Sequence, residues 1–131
     1  MTDRIKIVRV QDRKGRGPWR PGFSSQWTRD DTPMHGKPII AYPQALKALN
    51  KAHRAGLHVG CAVYEIDLGT WFSASDLARL SSLGFYIADA SNCTIIFSAP
   101  DQVLIASEFP LAWLKEVRID DERLATEKGL A

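Results

Sequence analysis

The sequence predicts a single α+β domain with a mostly antiparallel sheet and two to three helices. The spacing of the apolar residues changes from about two to about 3.6 and back along the chain, which indicates a mixture of strands and helices. Three short apolar runs then follow one another near the C-terminus, with only turns between them, as is typical of antiparallel strands. With 131 residues, 45% of them hydrophobic and 24% charged, the chain has the composition of one ordinary globular domain.

Five segments predict strands because they are short, rich in β-branched or aromatic residues and bounded by turn residues. The first strand contains the alternation that begins near Ile5, and turns at 89–92 and 99–101 separate the last three. The predicted strands cover residues 4–10, 57–64, 85–90, 93–98 and 102–107.

Two segments predict helices, over 43–54 and 73–83. Pro43 fits the first turn of the first helix, and Gly56 follows its last turn. The second helix has a capping signal at each end, consisting of Ser73 as N-cap, Asp76 as its capping-box partner and Gly84 after the last turn.

A short helix and a final turn are expected around three aromatic residues, Trp71, Phe72 and Trp113. Residues 65–72 predict a short helix that ends in Trp71 and Phe72, and a final turn is expected near Trp113. Large aromatic side chains contribute most to a core when they are buried. We therefore expect these three aromatic residues in the core.

The domain is expected to cover residues 1–119, with a long loop over 11–38 and a charged tail over 120–131. Residues 1–40 carry nine Lys/Arg and four Asp/Glu, a net charge of +5. The remaining residues carry eight and eleven, a net charge of −3, and the two sum to the +2 of the whole chain. A basic loop this long inside a compact domain is often functional, so we expect a local site for an anion.

The N-terminal sequence MTDRIK has no apolar signal region, and no apolar run approaches the roughly 20 residues of a membrane span. We therefore expect a cytoplasmic protein without membrane attachment.

Cys61 and Cys93 lie in apolar runs, which predicts reduced, buried thiols that are not bonded to each other. The two cysteines and three scattered histidines lack the spacing of a metal site, so no metal is expected.

The segment that follows the first strand has the chemistry of an anion site. Arg9 lies at the end of the strand, and the sequence GRGPWR comes soon after it. Glycine allows backbone N–H groups to approach an oxygen closely, a guanidinium binds phosphate through two hydrogen bonds, and an indole stacks on a flat ring. The candidate binding residues in this loop are Gly15, Arg16, Gly17, Trp19 and Arg20. A complete phosphate-binding, dinucleotide-binding, hydrolase or zinc-protease motif is missing from the sequence.

The arrangement of these segments resembles the ADP-ribosyltransferase fold family. The resemblance is carried by IVRV with Arg9, by HVGCAVY with Gly60 and Cys61, and by the late segment PDQVLIASEFP. It implies a split sheet and a cleft for NAD, with NAD as a substrate rather than a bound cofactor. Arg9, with Arg16 or Arg20, would then bind the diphosphate, and Gln102 beside Asp101 would orient the nicotinamide ribose.

The sequence departs from the family pattern at two of these positions. Gln102 or Asp101 stands where the family has a catalytic glutamate, and Cys61 stands where it commonly has serine or threonine. A glutamine can hydrogen-bond the ribose, but it supplies no negative charge to a developing cation. The departures make the activity itself an open question.

Three hypotheses follow from the sequence. The first is an ADP-ribosyltransferase-like protein that modifies or binds a protein or nucleic acid. The second is a small non-enzymatic protein, for example a phage-encoded inhibitor of a host defence system such as an anti-CRISPR protein, that docks through its basic aromatic loop. A weaker third is RNA binding by the same loop. The first hypothesis requires Arg9, Cys61 and Gln102 to line one cleft.

Overall fold

The computed structural model describes residues 6–19, 23–33 and 39–117. Five strands in this part of the chain form one sheet in the order β3-β1-β2-β5-β4, and every neighbouring pair is antiparallel. The predicted α+β class and the five predicted strands are confirmed. The strands are β1 (Ile7–Gln11), β2 (His58–Tyr64), β3 (Tyr86–Asp89), β4 (Thr94–Ala99) and β5 (Gln102–Ser107). Arg20 and the predicted tail over 120–131 lie outside the described residues.

Three α-helices in the described ranges accompany the sheet, and both main helices begin within one residue of their predicted starts. They are α1 (Pro43–Arg54), α2 (Leu68–Trp71) and α3 (Ala74–Ser82). A 3-10 turn at Glu65–Asp67 precedes α2, so the two together cover the short helix expected over 65–72. In the part of the chain that the structure describes, no helix combines the length and apolar character needed to cross a membrane.

The helix ends form where the sequence signals them. Pro43 occupies the first turn of α1, and Gly56 beyond its end has a positive φ of 79°. At α3 the Ser73 hydroxyl accepts from the backbone N–H of Asp76, and the Asp76 carboxylate accepts from the backbone N–H of Ser73. Gly84 after α3 has a φ of 91°, a conformation that glycine adopts without strain.

The sheet is split between β1 and β2. Ile7 pairs with Tyr64 and Val8 pairs with Val63, and β1 then continues along β3. From Ala62 back to His58, β2 pairs with β5 on its other side. The two central strands therefore diverge beyond their short shared segment, and a cleft opens in the gap between them.

Apolar side chains pack on both faces of the sheet. One cluster joins Val8, Val10 and Val63 to Trp71 and Phe72, which are buried as expected. Trp113 was predicted in the core, and this was wrong. It is 67% exposed because it lies on a 3-10 turn at the surface (Leu111–Trp113), where it stacks on Phe109, which is also exposed, at 5.8 Å between ring centroids.

Candidate functional site

A cavity of about 870 Å³ opens where the sheet splits. Arg9, Cys61 and Gln102 all line it, and the strand order places them on three adjacent strands, β1, β2 and β5. The three residues thus meet in one cleft, as the first hypothesis requires. The volume lies in the range of sites that bind small molecules and cofactors, roughly 300–1,000 Å³.

The Arg9 side chain bridges the gap between the diverging strands. Its Nη1 donates to the carbonyl of Cys61 at 2.8 Å, and its Nη2 donates to the carbonyl of Gly15 at 3.0 Å. Its Nε donates to Oε1 of Gln11 at 3.0 Å. These three bonds join β1, β2 and the basic loop and fix the guanidinium at the wall of the cavity.

Gln11 holds Arg9 in turn. Its side chain is fully buried, and its Nε2 donates to the hydroxyl of Tyr86 at 2.8 Å and to the carbonyl of Leu111 at 2.7 Å. Both donor bonds of the amide are therefore used, which leaves its oxygen directed at Arg9. A binding side chain whose own hydrogen-bond partner is held in place by further hydrogen bonds is preorganised for a ligand.

Arg9 forms no ion pair with a carboxylate in the described part of the chain, although the nearby negative charge of Asp12 opposes the effect of burial on its pKa. All three acceptors are neutral oxygens, and no carboxylate among the described residues bonds to it. A guanidinium has five N–H groups, so two remain after these bonds. Burial lowers the pKa of Arg9 from its ordinary value, yet arginine still keeps its proton at neutral pH. A half-buried cation with spare donors facing a cavity favours binding of an anion.

Two glycines make room for the guanidinium. A Cβ at Gly60 would lie 2.8 Å from Cζ of Arg9, closer than real contacts allow, and one at Gly17 would lie 3.6 Å from Nη2. Gly15 has a different role, because its φ is 82° and its Cβ would meet the backbone of Ala112 at 2.8 Å. Gly17 and Gly60 therefore line the cleft, whereas Gly15 is not among the described lining residues and bonds to Arg9 through its carbonyl.

The remainder of the basic loop is organised by Asp12. Its carboxylate accepts from the backbone N–H groups of Lys14 and Arg16, each at 2.9 Å, and from Nε of Arg16 at 2.9 Å. Burial would raise the pKa of Asp12, but these hydrogen bonds outweigh burial and hold it below its ordinary value. Arg16 is not among the described residues that line the cavity, so its predicted contact with a diphosphate is not supported by its position.

Cys61 is exposed where the sequence predicts burial, because its side chain opens onto the cleft instead of packing in the core. The protein around it nevertheless raises the pKa of the thiol by desolvation, against the opposing effect of Arg9. The thiol is therefore protonated at neutral pH and is a weak nucleophile. Cys93 is half-buried, and both thiols are free, as predicted.

Gln102 begins β5 directly after the two-residue turn that joins it to β4, and it is 5% exposed at the cavity wall. Asp101 occupies that turn. Its backbone carbonyl accepts from Nε1 of Trp71 at 2.9 Å, and it is not among the described residues of the cavity wall. The described residues of the cavity wall include no aspartate, glutamate or histidine.

Trp19 supplies an aromatic wall. It is 46% exposed, lines the cavity and packs edge-on against Trp27 with ring centroids 4.7 Å apart. Trp27 is fully buried, and its Nε1 donates to the carbonyl of Pro18 at 3.0 Å. Trp27 thus anchors the loop, and Trp19 is the ring that a flat ligand could contact.

Sequence reasoning missed two parts of the cleft wall. Thr28, Arg29 and Thr32 line it from the second half of the long loop, and Ile39 and Leu49 line it from the side of α1. Arg29 lies next to two aspartates in the sequence, so its charge does not stand out there. Only the folded chain brings it beside the split.

No protein-family model, curated protein or solved structure matches this chain. Among the described residues, no group of three or more histidine, cysteine, aspartate or glutamate side chains could hold a metal ion. The function is therefore inferred from the cleft itself.

Proposed function

We propose that this protein binds a phosphate-bearing nucleotide of the NAD or ADP-ribose class in the cleft of its split sheet. The observation that carries the proposal is Arg9, a half-buried guanidinium that bonds only to neutral oxygens and faces a cavity of about 870 Å³. A phosphate would supply a negatively charged acceptor in direct contact with Arg9, which the three neutral oxygens bonded to it do not provide.

The remaining walls suit the other parts of such a ligand. Trp19 offers the face or edge of an indole to a base, and the absence of a side chain at Gly17 allows a close approach to Arg9. Ile39, Leu49 and Leu104 form an apolar region of the same cavity. An anion-binding group combined with apolar and aromatic walls is what a nucleotide requires.

A second candidate function is ADP-ribosyl transfer to a protein or nucleic acid. It is favoured by the juxtaposition of Arg9, Cys61 and Gln102 on adjacent strands, which is the arrangement that the resemblance to ADP-ribosyltransferases calls for. Gln102 would orient the nicotinamide ribose by hydrogen bonding without stabilising a positive transition state by charge. The expected turnover is therefore low.

We propose the cytoplasm as the location of this protein, because its two free thiols suit a reducing compartment.

Isothermal titration calorimetry with NAD, ADP-ribose and adenosine tests the binding proposal. Wild-type protein should bind the two phosphate-bearing ligands and not adenosine. Arg9→Ala should lower their affinity roughly tenfold or more, since a charge-assisted hydrogen bond contributes about 1.5–3 kcal/mol. Arg13→Ala is the matched control, because Arg13 carries the same charge nearby but pairs with Glu116 outside the cavity.

Release of nicotinamide from NAD separates binding from transfer. Gln102→Ala should reduce turnover more than it reduces NAD affinity, because the proposed role of Gln102 is exercised mainly in the transition state. Binding without nicotinamide release would limit the function to binding. Failure to bind any phosphate-bearing ligand at millimolar concentration would overturn the proposal and favour the inhibitor hypothesis, in which the basic loop docks on a partner.

A further inference from the structure

We propose that Arg29 is a second anion-binding residue at the rim of the cleft, and that Asp76 positions it through Thr32. The inference rests on the proposed nucleotide site and specifies the number of anionic groups on its ligand. A ligand with two anionic groups would contact Arg9 with one and Arg29 with the other, so the site would discriminate a diphosphate from a monophosphate.

The side chain of Arg29 is only partly used by the protein. Its Nη1 donates to the carbonyl of Thr28 at 2.7 Å and more weakly to that of Gln26 at 3.4 Å. Its Nε and Nη2 have no partner among the described residues, and the side chain lines the same cavity as Arg9. Asp31, two residues along, bonds instead to Nη2 of Arg79 at 2.9 Å. Arg29 therefore keeps charge and donors for a ligand.

Thr32 fixes the backbone that carries Arg29. The backbone N–H of Arg29 donates to the Thr32 hydroxyl at 2.9 Å, and the backbone N–H of Thr32 donates to the carbonyl of Arg29 at 3.0 Å. The same hydroxyl donates to Oδ1 of Asp76 at 2.6 Å. The turn that presents Arg29 is thus tied to a residue 44 positions later in the chain.

Asp76 is a rigid attachment point. It is fully buried at the first turn of α3, where its carboxylate accepts from the backbone N–H of Ser73 at 2.8 Å and from Nη2 of Arg79 at 2.6 Å. Arg79 also donates from Nε to the carbonyl of Trp27 at 2.6 Å. Asp76 therefore both caps α3 and holds the turn at the cavity rim. The Thr32 hydroxyl connects its carboxylate to the backbone of Arg29.

Calorimetric titration of AMP and ADP measures the proposed discrimination. Wild-type protein should bind ADP more tightly than AMP. Arg29→Ala should weaken ADP binding about fivefold, as expected for an exposed charge contact, and leave AMP binding nearly unchanged. Arg54→Ala at the end of α1 is the control for the loss of one exposed positive charge, and it should change neither affinity.

Thr32 tests the positioning role without removing any charge. Thr32→Val deletes the hydroxyl that joins Arg29 to Asp76, and Thr32→Ser keeps it. Thr32→Val should reproduce part of the loss in ADP affinity, again without a loss in AMP affinity, and Thr32→Ser should restore the wild-type value. A general disturbance of the fold would instead lower the affinities for ADP and AMP together.

The outcomes separate this inference from the proposed function. If wild-type protein binds both nucleotides and Arg29→Ala leaves the ratio of their affinities unchanged, the role of Arg29 is wrong and the nucleotide site stands. If wild-type protein binds ADP-ribose but neither AMP nor ADP, the role of Arg29 is wrong and the nucleotide site stands. If it binds none of the three ligands, both are wrong.

Discussion

Arg9 and Arg79 are both half-buried and well hydrogen-bonded, but their partners differ. Arg79 donates to the carboxylates of Asp31 and Asp76 as well as to a backbone carbonyl. Arg9 donates to two carbonyls and one amide oxygen. A carboxylate neutralises a guanidinium and a carbonyl does not. The charge of Arg79 is therefore neutralised within the fold, whereas Arg9 bonds directly to no carboxylate among the described residues, which is the basis of the binding role that we propose for it.

We propose this difference as the criterion that distinguishes a structural arginine from a binding arginine. Each connects distant parts of the chain, Arg9 across the split sheet and Arg79 between α3 and the long loop. Connection alone is therefore not informative. The sign of the partner's charge and the presence of a cavity beside the guanidinium separate the two, and the following changes test that separation.

Removing the carboxylate that binds Arg79 should have the largest effect on stability. Asp76→Ala deletes the capping box of α3, the bond to Thr32 and the ion pair with Arg79. We expect a fall of about 2–4 kcal/mol in the free energy of unfolding, measured by urea denaturation. A change below about 0.5 kcal/mol, the size of an ordinary surface substitution, would mean that the network is not structural.

Displacing Arg9 should cost less stability but remove ligand affinity. Gly60→Ala would place a methyl group 2.8 Å from Cζ of Arg9 and 2.8 Å from Cδ1 of Leu111, so both side chains must move. We expect a loss of about 1–3 kcal/mol in unfolding free energy, typical of overpacking, together with a loss of ADP-ribose binding.

Gly69→Ala is the matched control for this substitution. Gly69 lies in α2, and a Cβ there meets no atom within 4 Å. Alanine has the higher helix propensity, so this variant should be equal to wild type or more stable by up to about 1 kcal/mol. Equal effects of the two substitutions on ADP-ribose binding would contradict the placement of Arg9 in the site.

Acid should weaken the carboxylate-supported regions of the protein. Burial would raise the pKa values of Asp12 and Asp76, but their hydrogen bonds hold both below the ordinary 3.8. A lowered folded-state pKa adds stability above the unfolded value, and this stability is lost as the pH falls through the folded-state value. Unfolding free energy should therefore decline below about pH 4. The decline should be shallower in Asp76→Ala, and an unchanged pH slope in that variant would contradict the assignment.

The smallest effect on unfolding free energy is expected for the exposed ion pair of Arg13. Arg13 pairs with Glu116 at 2.9 Å and lies over the ring of Tyr86 at 4.1 Å, but both charged side chains are more than half exposed. Arg13→Ala should lower the unfolding free energy by no more than about 1 kcal/mol in thermal or urea denaturation. A larger loss would mean that the basic loop is held by Arg13 and not by Asp12.

Local signals in the sequence were enough to predict the elements of the fold. Ser73, Asp76 and Gly84 act within one or two turns of the backbone, so their effect on α3 could be inferred from their spacing. The five strands followed from short runs of apolar residues between turns. The split between β1 and β2 was expected only through the family resemblance, because it depends on how the strands pair in space.

The site could be predicted only in part, for the same reason. Arg9, Cys61 and Gln102 lie at strand positions whose neighbours depend on strand order, and only the resemblance implied that the three line one cleft. Arg29 lines the cleft on a turn whose Thr32 bonds to Asp76, a contact between distant parts of the chain that no local pattern indicates. Cys61 and Trp113 were misjudged because an apolar stretch of sequence does not reveal whether it faces the core, a cleft or solvent.

The central claim is that Arg9 binds the anionic part of a nucleotide, and its side-chain nuclear magnetic resonance signal tests this most directly. The Nε–Hε resonances of Arg9 and Arg79 can be assigned from Arg9→Lys and Arg79→Lys proteins and followed during titration with ADP-ribose. We predict a saturable shift of the Arg9 resonance and no shift of the Arg79 resonance. Shifts confined to exposed arginines such as Arg13, with the Arg9 resonance unmoved at saturation, would contradict the account.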